Sequence, residues 1–144
     1  MADNFPIFQS DLLGATREAR EFKRVFIQRA ALEAATRVVL KTPVATGRAR
    51  GSWQTVEGGP GASEGIGEDP SGSAAISQAA AAVAAFSPNV SFATVYSNLE
   101  YMPALENGHS EQAPNGMVAV TVAELEGGGI PTSDLKFSVG RSDR

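Results

Sequence analysis

Phe22-Lys-Arg-Val-Phe-Ile-Gln-Arg-Ala-Ala-Leu-Glu-Ala-Ala-Thr-Arg-Val-Val-Leu-Lys-Thr-Pro43 is an amphipathic helix with its stop signal attached. Apolar residues at Phe22, Val25, Phe26, Ala30, Leu32, Ala35, Val39 and Leu40 follow a helical repeat, and charges fill the rest of the surface. Arg17/Glu21 and Glu33/Arg37 stand four residues apart, a spacing that adds about 0.2–0.5 kcal/mol per pair on a helix. Upstream the pattern runs back to Asp11 or Gly14. Downstream, Pro43 biases Thr42 away from helical angles and ends the helix.

The rest of the chain reads outward from that helix. Val44-Ala-Thr-Gly47 is a turn, and Arg50 to Glu57 is expected to be a strand. Residues 58–73 hold six Gly, two Pro and three Ser in sixteen positions, the composition of a mobile loop. Ala74 to Phe86 predicts a second helix, broken by Pro88-Asn89. Val90 to Tyr96 is a strand rich in β-branched and aromatic residues. Leu99 to Asn107 predicts a short helix with Gly108 as a left-handed cap. Residues 117–125 carry two signals. Val118, Val120 and Val122 alternate as in a strand, but Asn115 can cap a helix and Glu124-Leu-Glu then Gly127 fits a helix end. The helix is the preferred reading. After Gly127-Gly-Gly a flexible arm is expected, with a short strand around Leu135 to Val139.

The expected fold is α+β: a long N-terminal helix and further short helices packed on a small, mainly antiparallel sheet. The expected organisation is a flexible N-terminal arm at 1–8, one α+β domain at 9–126 that includes the Gly/Ser-rich loop, and a C-terminal arm at 127–144.

Composition narrows the function classes. The chain has 144 residues and no cysteine, so disulfides, thiolate nucleophiles and cysteine metal sites are excluded. The N-terminus lacks a basic start followed by an apolar run, and the longest apolar stretch, Ala74 to Phe86, is shorter than the ~20 residues a membrane span needs. A soluble protein is expected. Net charge is −4, unevenly laid out. Residues 1–50 hold nine Lys/Arg against five Asp/Glu, whereas 51–144 hold three against eleven. A basic third and an acidic remainder suit head-to-tail packing of subunits, or are two ordinary solvated faces.

No stretch has the spacing of a catalytic or metal site. The Gly-rich loop lacks a P-loop lysine and carries acids that repel phosphate. His109 and Ser110 are neighbours in sequence, which is not triad geometry, and no nucleophile-elbow motif is present. They read as a polar turn. Glu100 and Glu106, six apart, fall on different faces of a helix rather than flanking a substrate. One histidine and scattered acids make no metal cluster. Arg17, Arg20, Lys23 and Arg24 form a basic patch, but Glu18 and Glu21 interrupt it and read it as a salt-bridged helix face rather than a nucleic-acid site. Trp53 is assigned to core packing, with a subunit contact as a second role. The chain is expected not to be an enzyme and to need no cofactor.

Two motifs carry a resemblance. The first is Thr42, Pro43, Val44, Thr46, Gly47, Arg50, Ser52 and Trp53. The second is Tyr96, Leu105, Glu106, Gly108, Ser110, Gln112, Ala113, Pro114, Gly116 and Met117. In this order, after a long helix, they resemble the neck or tail-completion proteins of long-tailed bacteriophages, over roughly residues 20–125. The family often has aspartate where Ala45 stands and a larger residue at Ala49, and its loop at 58–73 is usually shorter. The resemblance implies a structural virion protein that forms a ring of six or twelve copies at the head–tail junction. Its partners would be the head-side connector or stopper and the tail terminator or tail tube, with DNA passing through the lumen. A tail terminator ring is the alternative. On this view the motif residues are assembly elements, Pro114→Ala and Gly116→Ala harm assembly more than folding, and Glu57, Glu64, Glu68, Asp69, Glu100 and Glu106 are candidates to line an acidic lumen that does not grip DNA.

Overall fold

Pro43 and the glycine four residues later divide the molecule into a long helix and everything that packs against its second half. The structure, a computed structural model, describes residues 5–140. Helix α1 runs Phe5–Lys41, 37 residues, or about 55 Å at 1.5 Å per residue. It starts earlier than the sequence suggests: residues 5–8, expected in an arm, form its first turns. Residues 1–4 of that expected arm lie outside the described residues.

Only the C-terminal half of α1 reaches the core. Ile27, Ala30, Ala31, Ala34, Ala35, Val38 and Val39 are buried, a stripe recurring every three or four positions. Four of the seven are alanine, which lets a neighbouring helix approach closely. That neighbour is α3 (Ser73–Ala84), which turns Ala75, Ala79 and Val83 inward. Gln28 Nε2 donates to Val83 O at 2.7 Å and Arg24 Nε to Phe86 O at 3.1 Å, tying the end of α3 to the middle of α1.

The sheet has three strands in the order β1 (Gln54–Glu57), β2 (Ala93–Ser97), β3 (Leu135–Val139). β1 pairs antiparallel to β2, Gln54 opposite Tyr96 and Glu57 opposite Ala93. β3 pairs parallel to β2, Ala93 opposite Leu135 and Ser97 opposite Val139. The sheet is therefore mixed, where a mainly antiparallel one was expected. The parallel pair requires a crossover, which α4 (Met102–Glu106) and α5 (Val118–Gly127) supply. Every residue of β2 is buried, as befits a central strand.

One local expectation changes and two hold. Arg50 to Trp53 is not strand: Gly47, at φ +89°, opens a single helical turn, α2 (Arg48–Gly51), and the strand starts at Gln54. Residues 117–125 do form a helix, and α5 ends in a left-handed Gly129 with Ile130 N donating to Leu125 O at 2.9 Å. The segment 135–139, expected within a C-terminal arm, is the third strand of the sheet; residues 141–144 lie outside the described residues.

Candidate assembly junction

The two motif stretches, separated by some forty residues, fold onto one another. Thr42, the last helical residue's successor, is 1% exposed. Its hydroxyl donates to Val38 O at 2.6 Å and accepts the indole N–H of Trp53 at 2.7 Å. Its carbonyl accepts from Arg50 Nε at 2.9 Å. The same guanidinium donates through Nη2 to Leu40 O at 3.1 Å and through Nη1 to Pro70 O at 2.9 Å. A helix end leaves carbonyls without partners and carries partial negative charge. Arg50 answers both needs for α1 and also holds the end of the 58–73 loop. Three divergent acceptors need a planar fork, which lysine lacks.

Ser52 is fully buried beside β2. Its hydroxyl donates to Ala49 O at 2.6 Å and lies 2.7 Å from Ser97 Oγ. A hydroxyl has one proton, so Ser97 is the donor in the Ser52–Ser97 bond. Ser97 Oγ also accepts from Leu99 N at 3.3 Å. Gly47 O accepts from Gly51 N and from Asp69 N, both at 3.0 Å, and a side chain at Gly47 would strike Pro70. Thr46 Oγ1 accepts from Arg48 N at 3.3 Å.

The second motif is built around Glu106. Its carboxylate accepts from Met117 N at 2.9 Å and from Val118 N at 2.6 Å, so an anion caps the positive end of α5. Gly116, at φ +81°, lies against Glu106, and a Cβ there would collide with it. Gly108, at φ +87°, is packed against Pro114. Met117 is fully buried. Gln112 links the two motifs: its Oε1 accepts from Val44 N at 3.0 Å and its Nε2 donates to Val44 O at 3.5 Å. Two open clefts of about 290 Å³ each flank this bridge. One is lined by Leu40, Arg50, Pro114 and Val120, the other by Pro43, Thr46, Tyr101 and His109.

The Gly-rich loop is anchored in the chain as it stands. Asn98 Nδ2 donates to Gly61 O at 2.8 Å and to Ser63 O at 2.9 Å. Ile66 N donates to Gly51 O at 3.0 Å, and Asp69 Oδ2 accepts from Ala75 N at 2.8 Å. Tyr96 is buried beneath Gly61, its hydroxyl 3.4 Å from Gln54 Oε1.

The acids proposed for a lumen fall into three groups. Asp69 is buried and holds the start of α3, and Glu106 caps α5, so neither is open to a lumen. Glu57 is exposed but accepts from Ser87 N at 2.6 Å and Ser87 Oγ at 2.9 Å, and Glu64 lies 3.7 Å from Arg48. Glu68 and Glu100 are exposed. Ser110 Oγ accepts from Gln112 N at 3.2 Å, the bond of a polar turn, and His109 is exposed.

A charged cluster fastens α1 to α5 on the surface. Glu124 Oε1 meets Lys41 Nζ at 2.6 Å and Arg37 Nη1 at 3.1 Å, and Arg37 Nε reaches Glu33 at 3.1 Å. Hydrogen bonds donated by Lys41 and then Arg37 lower the pKa of Glu124, and the bonds that Arg37 donates to Glu33 and then Glu124 raise its own.

The junction was read from sequence as a set of assembly residues. In the folded chain Thr42, Gly47, Arg50, Ser52, Trp53, Tyr96, Gly116 and Met117 serve internal packing and bonding, while Thr46, Ser110, Gln112 and Pro114 stand at the surface around the clefts. Ser97, Asn98 and the loop-anchoring role of Asp69 were not singled out from sequence, because their partners lie far along the chain. Among the described residues no group of three or more potential metal ligands is clustered, and no helix is long and apolar enough to cross a membrane. No family model, no curated protein and no solved structure matches the chain.

Proposed function

We propose that this protein is a structural subunit of a phage neck, assembling into a ring between the head-side connector and the tail tube through which DNA passes. The observation that carries the reading is the junction itself. Two motifs whose joint presence resembles the neck and tail-completion proteins meet through Gln112 and Val44, and the surface residues of both motifs surround the same two clefts. Charge layout supports it. A basic α1 and an acidic body give one heterologous contact between neighbours, and such a contact closes into a ring when the rotation per subunit divides the circle. The lining acids of such a ring narrow to Glu68 and Glu100, with Glu57 and Glu64 as exposed carboxylates already engaged within the chain.

The test is the mass of the purified chain in solution, alone and mixed with tail tube protein or head-side connector protein. A closed ring, formed alone or on one of those partners, supports the neck reading and names the neighbour. A chain that binds neither partner and forms no ring overturns it. A ring that caps tail tubes and ignores the head-side protein moves the assignment to a tail terminator.

A further inference from the structure

The first half of α1 carries an exposed seam that meets the body only at its end, where Arg24 donates to Phe86 O and Phe26 borders Pro131 and Asp134. From residue 9 to residue 26 every position is exposed except the half-buried Gly14 and Arg24. Leu12 is 56% exposed, Phe22 67% and Phe26 51%, values at odds with side chains of that size in a finished surface. Their order is regular. Leu12, Ala15, Ala19, Phe22 and Phe26 are spaced three, four, three and four apart, the heptad repeat that holds two helices together along one stripe. In sequence the same spacing runs back through Phe8 and Phe5. The repeat stops where the core begins: the next two positions are Arg29 and Glu33. The seam therefore belongs to the protruding half alone.

Charges beside the seam specify the occupant and its direction. Asp11 and Glu18 lie along one flank, and Lys23 lies along the other, five residues beyond Glu18. In a parallel pair of identical helices that offset sets Glu18 of one copy against Lys23 of the other, on both sides of the pair. An antiparallel pair turns the Asp11–Glu18 flank against itself, which repels. Neither Glu18 nor Lys23 has an ion-pair partner among the described residues, whereas Glu21 and Arg24, farther from the seam, pair with each other at 3.1 Å. Gly14, inside this exposed stretch, weakens the helix locally. A covering partner removes that difficulty.

We infer that the protruding half of α1 is a self-association element: it pairs in parallel with the same segment of a second copy through Leu12, Ala15, Ala19, Phe22 and Phe26. The inference does not rest on the neck reading: a pair of this kind uses the same patch on both copies and is a contact separate from the heterologous one of a ring.

The chain lacks cysteine, so single-cysteine variants report the geometry directly. Ala19→Cys lies in the seam and Arg17→Cys on the opposite face. Mild oxidation is expected to link Ala19→Cys chains in pairs and to leave Arg17→Cys chains unlinked. Equal yields from the two, or an unmodified chain that remains monomeric at every concentration in sedimentation, overturns the proposal. Direction is tested by charge. Glu18→Lys is expected to weaken association about tenfold, and adding Lys23→Glu to restore it; a double variant no better than Glu18→Lys overturns the parallel arrangement. Phe22→Glu is expected to give monomers. Emission from buried Trp53, remote from the seam, checks in each variant that the fold is kept. Pairing through this seam in a chain that forms no ring and ignores both phage partners would support this inference while removing the neck reading.

Discussion

The hydroxyl of Thr42 receives the indole proton of Trp53 and passes its own to the carbonyl of Val38, so one buried side chain joins the end of α1 to the approach of β1. Helix and sheet are held at this point by a bond whose donor and acceptor are both out of water. Trp53→Ala is expected to cost about 3–5 kcal/mol, as large aromatic truncations in cores do. Thr42→Val keeps the shape but strands the indole N–H, and a loss of about 1–3 kcal/mol is expected. Urea unfolding followed by circular dichroism measures both, and a change below about 0.5 kcal/mol in Thr42→Val would mean that the indole finds another acceptor.

Arg50→Lys tests the three-carbonyl staple. An ammonium can reach one of Thr42 O, Leu40 O and Pro70 O well, not all three. Hydrogen bonds to a charged group contribute about 1.5–3 kcal/mol each and the lost carbonyls regain water in part, so a net loss of about 2 kcal/mol is expected. Protease nicking within 58–73 should rise with it, because the Pro70 anchor goes. An unchanged unfolding midpoint and unchanged cleavage would show that the staple does not hold the loop.

Gly116→Ala and Pro114→Ala should part company. The sequence reading expected both to harm assembly more than folding. Gly116 has a left-handed backbone pressed against Glu106, so alanine there strains the turn that caps α5. A loss of at least about 1 kcal/mol, or roughly 2–5 °C in Tm, is expected for the isolated chain. Pro114 is exposed, and its replacement should leave Tm within about 1 °C. Equal melting of the two variants would remove the distinction.

The Glu33–Arg37–Glu124–Lys41 cluster predicts a pH dependence with a definite sign. The Glu124 pKa is lower in the folded chain than its ordinary value of 4.5. The folded state thus binds the proton less readily than the unfolded one, and the contribution is fully present above pH 4.5 and fades as pH falls through the depressed value. Glu124→Gln should therefore flatten the acid limb of a stability-against-pH curve while leaving its shape above neutrality alone. Salt should shrink the difference between the two proteins, since the groups are solvent-exposed. An identical acid limb in both proteins would mean that the cluster is not coupled to folding.

How much of this could be read in the sequence depended on how local the cause was. Pro43 ended α1, Gly108 capped α4, and the Glu124-Leu-Glu-Gly run closed α5, all from neighbours in the chain. The strand start was misplaced because Gly47 opens a helical turn that four residues are too few to announce. The 58–73 loop read as mobile from its glycines. What holds it are bonds donated by Asn98 and Arg50 and one accepted by the Gly51 carbonyl, residues remote or across a turn, and composition carries no trace of them. The third strand was anticipated at 135–139, but its parallel partner was not, since pairing direction depends on a crossover of some forty residues. The motif residues stood out in sequence as a set; that most of them are bonded internally became visible only with their side chains in place.

The mixed sheet sets a timetable for the chain. β2 gains its first neighbour from residues already made, since β1 precedes it. Its second neighbour arrives only when residues 135–139 emerge, after two helices and their turns. At about 5–20 residues per second of synthesis, one edge of a strand built from Ala, Thr, Val, Tyr and Ser stands open for seconds before β3 closes it. Over that interval the nascent chain presents an unpaired, wholly apolar-to-neutral edge. Completion of the sheet therefore waits on the last-made of its three strands, whatever the order in which the other elements pack.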